Sequence, residues 1–175
     1  QYLDLVQEVR NLTEKRFERA DAGEPMDDLD KKALERAVVI FDGLVAFDPR
    51  AMGPIVGSGK TYLLLGKPEL AAQRLALVAK ALPEKPDPDT RALAAEGYAL
   101  LSQSLFDLRR YSDAAVAARK ARLMAPNNAN YAIAEASATL QAGDPEKAHE
   151  IVHQALALDP KNSRALQLDK FITKH

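Results

Sequence analysis

Apolar residues recur along the chain at intervals of three and four positions, as in the series Leu93, Leu100, Leu101, Leu105 and Leu108. This spacing places apolar side chains on one face of an α-helix. β-branched residues are sparse and alternating polar and apolar runs are short, so the pattern does not favour strands. It predicts helices near residues 2–20, 28–47, 53–65, 68–81, 90–109, 113–124, 129–141, 145–158 and 163–173.

Proline positions reveal a repeat. Pro49 and Pro83 are 34 residues apart, and so are Pro126 and Pro160. Pro83 and Pro126 are separated by 43 residues, and the nine additional residues fall in the Pro- and charge-rich stretch EKPDPDTRA, which predicts an inserted loop. Self-similarity at a 34-residue period is typical of a solenoid of helix–turn–helix units.

The residues twelve, eight and five positions before each of these four prolines are all apolar. Since each column keeps the same place in the repeat, the columns predict one continuous core. They consist of Ala37, Ala71, Ala114 and Ala148; of Phe41, Leu75, Ala118 and Val152; and of Leu44, Val78, Ala121 and Ala155.

With these columns the sequence resembles the tetratricopeptide repeat family, most closely in AGDPEKAHEIVHQALALDPKN. In that family each repeat has a helix A, marked by a small residue, an apolar residue and often a glycine. Here those three positions hold Gly59, Ser102 and Ala136; Tyr62, Leu105 and Thr139; and Gly66, Arg109 and Gly143. The resemblance implies an all-α, right-handed superhelical solenoid of antiparallel helix pairs.

We expect a single domain over residues 1–175. Its parts are a divergent helix pair (1–51), a repeat (52–85), an inserted loop with a helix start (86–94), two repeats (95–128 and 129–162) and a capping helix (163–175). Asp144 followed by Pro145 predicts a helix N-cap, and Ser112 predicts a similar one. The capping helix would cover the end of the stack with Leu166, Leu168, Phe171 and Ile172.

The resemblance also implies a function: the A helices line a concave groove that binds a peptide or helix of another protein. By position in the repeat, the groove residues are Gly53, Val56, Lys60, Leu63, Glu96, Ala99, Gln103, Phe106, Asn130, Ile133, Ser137 and Leu140. Two alternatives stay open: residues 1–20 fold back and fill the groove, or Leu63 and Leu140 turn inward as core.

The predicted groove is mildly apolar. Its main contact residues are Phe106, Ile133, Val56 and Leu63, and its hydrogen-bonding groups are Gln103, Lys60 and Asn130. Lys60 is the one basic residue among these positions, so the carboxylate clamp of chaperone-binding family members is absent. We therefore expect a non-catalytic interaction module without cofactor or metal. A dedicated chaperone or assembly factor for one client and a self-associating scaffold are the alternatives.

The composition argues against two classes of partner. The net charge of −1 provides no electrostatic attraction to nucleic acid or anionic membrane. The absence of cysteine excludes thiol catalysis, thiolate metal sites and disulfides, and no apolar run approaches the ~18 residues of a membrane span.

The chain begins with Gln1, so we expect that an upstream segment was removed. A cytoplasmic location is slightly favoured over a periplasmic or membrane-anchored one.

The stretch HEIVH at residues 149–153 fits the H-E-x-x-H pattern of zinc metalloproteases, with Glu150 as the candidate base. A protease also needs a third ligand and a cleft. No Glu follows Glu150, and the one later His is His175. In the repeat register the motif lies on a convex helix, where Glu150 and His153 face water and Val152 packs inside, so we favour a structural role. Weak zinc binding by the histidine pair stays open as an alternative.

The stretch GPIVGSGKT at residues 53–61 is similar to a phosphate-binding loop, but Pro54 stands where that motif needs its first Gly. No strand precedes it either, and the register places it on a helix. Gly59 has a close-packing role there, and Gly53 with Pro54 predicts an N-cap. Gly57 has no evident structural role; it is either a tolerated glycine or one that leaves room for a partner.

Overall fold

The computed structural model describes residues 2–174, with side chains from Gln7 onward. These residues form ten helices: α1 (Tyr2–Asp21), α2 (Asp28–Phe47), α3 (Met52–Leu64), α4 (Pro68–Leu75), α5 (Val78–Ala81), α6 (Pro88–Asp107), α7 (Tyr111–Met124), α8 (Ala129–Gln141), α9 (Pro145–Leu158) and α10 (Ser163–Ile172). The described part of the chain contains no strand. The predicted all-α class is confirmed, and the predicted helix ends lie within two residues of the observed ones.

The exception is the helix predicted over residues 68–81, which is divided into α4 and α5. The N–H of Leu77 donates to the carbonyl of Arg74 at 3.1 Å, three residues back, instead of four. Such a bond tightens the helix locally into a 3₁₀ turn. Leu75 and Val78, on either side of the turn, are both fully buried, so the interruption leaves the apolar column intact.

The helices group into two compact units, residues 1–86 and 87–175. In unit 1, α3 contacts α1, α2, α4 and α5; in unit 2, each of the helices α6 to α10 contacts the next one in the chain. The division falls in the stretch EKPDPDTRA. There Asp87 caps α6, since its carboxylate accepts a hydrogen bond from the Thr90 N–H at 2.9 Å.

The columns defined by the proline repeat form the interior of both units. All four alanines of the first column are at most 1% exposed. The second column, from Phe41 to Val152, is also buried, and in the third only Leu44 is half-buried. Small side chains in these columns allow neighbouring helices to approach closely. The predicted core is therefore confirmed.

The turn from helix A to helix B has the same conformation in three repeats. Gly66, Arg109 and Gly143 have φ angles of 67°, 59° and 94°. In each case the next residue donates its N–H to a carbonyl five positions back, as Arg110 does to Leu105 at 2.8 Å. Glycine adopts this left-handed conformation without steric cost, whereas Arg109 does not. The turn geometry is thus set by the fold even where the residue disfavours it.

Two glycines of α3 pack against larger side chains. A Cβ atom on Gly59 would collide with the side chain of Leu75, which confirms its close-packing role. A Cβ atom on Gly57 would lie 2.7 Å from ring atoms of Phe41. The hypothesis that Gly57 leaves room for a partner is therefore wrong, because the Phe41 ring of α2 already occupies that space.

Of the predicted N-caps, Asp144 is confirmed: its side chain accepts a hydrogen bond from the Lys147 N–H at 3.1 Å. The other two are wrong. Helix α7 begins at Tyr111, so Ser112 already lies within it, and α3 follows Ala51, so Gly53 lies inside its first turn. In both places the observed N-cap, Arg110 or Ala51, lies two residues before the predicted one.

Polar side-chain contacts join the helices within each unit. In unit 1 the Asp42 carboxylate of α2 accepts hydrogen bonds from Ser58 Oγ (2.5 Å) and Tyr62 Oη (2.6 Å) of α3, and lies 2.9 Å from a guanidinium nitrogen of Arg74 on α4. In unit 2 the buried Glu135 of α8 accepts a 2.6 Å bond from Arg122 of α7. Such pairing lets carboxylates lie between helices.

The predicted capping helix, α10, covers the end of unit 2 with one face only. Ala165 is buried, and Leu168 and Ile172 pack against the core formed by α8 and α9. Leu166 and Phe171 are about half exposed, so the expectation that all four large apolar residues cover the stack is wrong for these two. Among the described residues, no helix is both long and apolar enough for a membrane span.

Candidate functional site

The predicted groove positions of unit 2 lie on two helices that contact each other, α6 and α8. On this face, Gln103 and Asn130 are exposed. The half-buried side chains around them are Glu96, Ala99, Phe106, Ser137 and Leu140. Carboxamides beside partly accessible apolar groups form a surface that can bind a peptide backbone and an apolar side chain together.

Phe106 is held by an aromatic neighbour that the sequence pattern did not single out. Its ring centroid lies 5.1 Å from that of Tyr111 on α7, with the two planes at 68° to each other. This edge-to-face geometry is a favoured arrangement for aromatic pairs. Tyr111 therefore restricts the orientation of the Phe106 ring.

Ile133 has a different place from the one expected. It is only 8% exposed and belongs to the core cluster that includes Ala136 and Val152. Its side chain supports the interior between α8 and α9 and offers little surface to a partner. Leu140 is half-buried, between the two alternatives of groove contact and core.

In unit 1 the helix α3, which carries the expected groove face, contacts α1. Val56 and Lys60 are buried, at 3% and 5% exposure. The Lys60 ammonium lies 2.6 Å from the Glu14 carboxylate and 4.6 Å from the centre of the Phe17 ring, and both neighbours belong to α1. The side chains of Val56 and Lys60 are therefore not accessible to a partner. At Lys60 this agrees with the alternative stated above, in which residues 1–20 fold back onto the groove. Leu63 is half-buried.

A cavity of about 620 Å³ lies where the chain enters α8 and α10. It includes Asn130 of the predicted face and three asparagines that were not predicted, Asn127, Asn128 and Asn162. The sequence did contain a signal for this cavity: PNN follows the end of α7, and the similar PKN follows the end of α9. Asn128 and Asn162 also cap α8 and α10, which fixes their side chains at the cavity wall.

Neither of the two enzyme-like motifs forms the site it resembles. Residues 53–61 lie within α3, so their backbone is helical and no phosphate-binding loop exists there. HEIVH lies on α9 with Glu150 and His153 exposed and Val152 fully buried, as its repeat register predicts.

Neither a protein-family model nor a curated protein sequence matches the chain. Solved structures do resemble it. A crystal structure of MamA has 22% sequence identity and a TM-score of 0.70, covering 86% of this chain and 85% of that one. MamA from Desulfovibrio magneticus RS-1 has 18% identity and a TM-score of 0.70, covering 97% and 84%.

The second TPR domain of human RPAP3, determined by NMR in complex with the HSP70 peptide SGPTIEEVD, is also similar. Its identity is 18% and its TM-score 0.55, covering 67% of this chain and 90% of that one. The fold of this chain is TPR-like. At such identities the likeness establishes the fold and leaves the function to the residues of the site.

Proposed function

We propose that the chain is a protein-interaction module and that unit 2 binds an extended peptide or a helix of a partner protein along α6 and α8. The observation that carries this proposal is the juxtaposition of the two helices with exposed Gln103 and Asn130 beside partly accessible Phe106 and Leu140. Preformed side-chain positions of this kind reduce the entropy lost on binding. TPR-like neighbours, one of them bound to a peptide, support the same function.

The chemistry of the face favours a neutral or basic segment with one or two apolar side chains. Among the predicted positions of unit 2, Glu96 is the one charged residue. Phe106 and Leu140 supply apolar contact, while Gln103, Asn130 and Ser137 can bond a peptide backbone. The peptide bound by RPAP3 is acidic, and no basic residue at these positions would neutralise it. We therefore expect that acidic peptide not to bind here.

The test uses a pair of double variants with the same added charge. Ala99→Arg with Ser137→Arg places two long side chains on the proposed face, on α6 and α8. Val116→Arg with Ala157→Arg, at exposed positions of α7 and α9, is the control. Arginine is a good helix former, so both proteins should fold. Ile133→Ala is unsuitable, because loss of this core side chain would cost about 2–4 kcal/mol of stability.

The measurement is capture of partners from native lysate by both variants and wild type, followed by binding titrations with the identified partner. Loss of affinity in the face variant alone supports the proposal. Equal affinity in all three proteins contradicts it and places the site elsewhere. A single client that is insoluble without this chain would identify the module as a dedicated chaperone.

Self-association is a second candidate function, favoured by one observation. Leu166 and Phe171 on the outer face of α10 are 47% and 52% exposed at the end of the repeat array. A second copy could cover them, as a further repeat would. Molar mass that rises with concentration in wild type, but not in Leu166→Glu, would establish this function.

A further inference from the structure

Three side chains of types that can bind metal ions come together from two helices of unit 2. His149 and His153 lie one turn apart on α9, and Asp169 comes from α10. The two Nε2 atoms are 3.1 Å apart, and Asp169 Oδ1 lies 3.2 Å from His149 Nε2 and 3.4 Å from His153 Nε2. The three atoms therefore form a nearly equilateral triangle.

The size of this triangle matches the coordination geometry of zinc. Zn–N and Zn–O bonds are about 2.0–2.1 Å long, so two ligand atoms at a tetrahedral angle lie about 3.3–3.4 Å apart. The observed separations of 3.1–3.4 Å are close to this value. An ion above the triangle could thus reach all three atoms with little movement of either helix.

The polar atoms of the cluster are incompletely satisfied by the protein. Asp169 Oδ1 is shielded from solvent and has no hydrogen-bond partner among the described residues. The two Nε2 atoms cannot both carry protons directed at each other across 3.1 Å. A cation would interact favourably with the lone pairs of all three atoms at once, since unprotonated imidazole and carboxylate are ligand forms.

The geometry points to a zinc-type site formed by His149, His153 and Asp169 that ties α10 to α9. Imidazole with one carboxylate suits zinc and similar transition-metal ions, whereas magnesium prefers oxygen ligands. The three side chains are 39%, 59% and 27% exposed, so water would complete the coordination. The site lies on the solvent-accessible surface of α9 and α10, and the described residues form no substrate cleft around it. We therefore assign the metal ion a structural role.

A metal ion at this place would stabilise the packing of α10 against α9. Ala165 is the only fully buried residue of α10, so the helix is held by few core contacts. An ion that binds only when α9 and α10 are docked stabilises the docked state by mass action. Asp169 could not be recognised as a third ligand from the chain, because folding alone brings it to the histidine pair. This inference is independent of the proposed peptide site.

The experiment uses the whole chain without an affinity tag, freed of metal by a chelator. Zinc is titrated in competition with a chromogenic indicator, and thermal unfolding is followed by circular dichroism with and without zinc. We expect one zinc per chain and a melting temperature that zinc raises and EDTA restores. His149→Ala, His153→Ala and Asp169→Asn should each weaken binding at least about tenfold, the lower end of the loss caused by removing even an outer-shell partner.

Three controls accompany these variants. Glu150→Gln changes a neighbouring carboxylate that is not part of the triangle, and His175→Asn removes the remaining histidine; both should bind zinc like wild type. Magnesium should produce no shift in melting temperature. Because each protein is compared with and without zinc, a variant that is itself less stable still gives a valid result.

Two outcomes would overturn the proposal. Zinc binding by Asp169→Asn that equals wild type would show that the histidine pair on α9 captures the ion alone and that α10 is not tied. Absence of zinc binding at micromolar concentrations would show that the three side chains do not form a metal site.

Discussion

The Lys60 Nζ atom of α3 lies 2.6 Å from Glu14 Oε2 of α1, and this ion pair is buried on the lysine side only. Lys60 is 5% exposed as a residue, whereas the Glu14 side chain is 43% exposed. A buried ammonium group needs a negative partner because its hydration has been lost. The pair therefore holds α1 against α3 at one of the predicted groove positions.

Glu14→Gln should destabilise the protein by about 1–3 kcal/mol, because the buried Lys60 ammonium loses the negative charge that lies 2.6 Å from it. Lys60→Met should cost less, since Met keeps the apolar stem and leaves Glu14 in contact with water. Urea unfolding measures both values, and hydrogen exchange of residues 7–21 reports whether α1 detaches. A larger loss in Lys60→Met than in Glu14→Gln would contradict this asymmetry.

Two glycines in helices should respond oppositely to alanine. A Cβ atom on Gly43 of α2 would meet no heavy atom within 4 Å beyond its own stretch of helix, so Gly43→Ala should stabilise the protein by about 0.5–1 kcal/mol through helix propensity. Gly57→Ala should destabilise it, by about 1–3 kcal/mol, because the new methyl group meets the Phe41 ring at 2.7 Å. Equilibrium unfolding of the two variants provides the comparison. Equal stabilisation by both would show that α2 and α3 are not closely packed at Phe41.

Arg109→Gly should stabilise the protein. Arg109 has a φ of 59°, and a non-glycine residue in this left-handed region costs about 1 kcal/mol or more. Part of that gain is offset because glycine makes the unfolded chain more flexible, so the net increase should be about 0.5–1 kcal/mol. Thermal unfolding tests it, with Arg110→Gly as the control that should destabilise. A lower melting temperature in Arg109→Gly would mean that the Arg109 side chain makes a stabilising contact.

The free energy of unfolding should fall at high pH because Tyr62 loses its proton. Burial raises the pKa of Tyr62 above its usual 10.0, and its hydrogen bond to the Asp42 carboxylate raises that pKa further. Because the folded pKa exceeds the unfolded one, the contribution is complete below about pH 10 and is lost as the pH rises through the folded pKa. Unfolding free energies between about pH 9 and pH 11 should fall less steeply in Tyr62→Phe than in wild type.

An equal slope in the two proteins would place the sensitive group elsewhere. Tyr98 of unit 2, whose pKa burial also raises, should account for part of the decline that remains in Tyr62→Phe. The double variant with Tyr98→Phe separates the two contributions.

The helices, their pairing and the core columns could be predicted because they depend on local periodicity. Ala114, Ala118 and Ala121 recur at helical spacing on one face, and a face of that kind must be buried. The candidate face was only partly predictable. The same repeat position holds Gln103, which is exposed, and Lys60, which is covered by α1. The solvent exposure of a helix A position depends on which other helix packs against it. The spacing of residues within the repeat contains no information about that contact.

The sequence by itself determined an all-α repeat protein with a 34-residue period, an inserted loop near residue 86 and an interior of small residues. These properties follow from neighbouring residues, since helix formation and amphipathic burial act over one or two turns. Only the tertiary structure decided that α1 covers Lys60, that Phe41 fills the space beside Gly57 and that Asp169 joins His149 and His153. Each of these contacts joins two different helices, so it depends on how those helices pack against each other and not on the spacing of residues within either one.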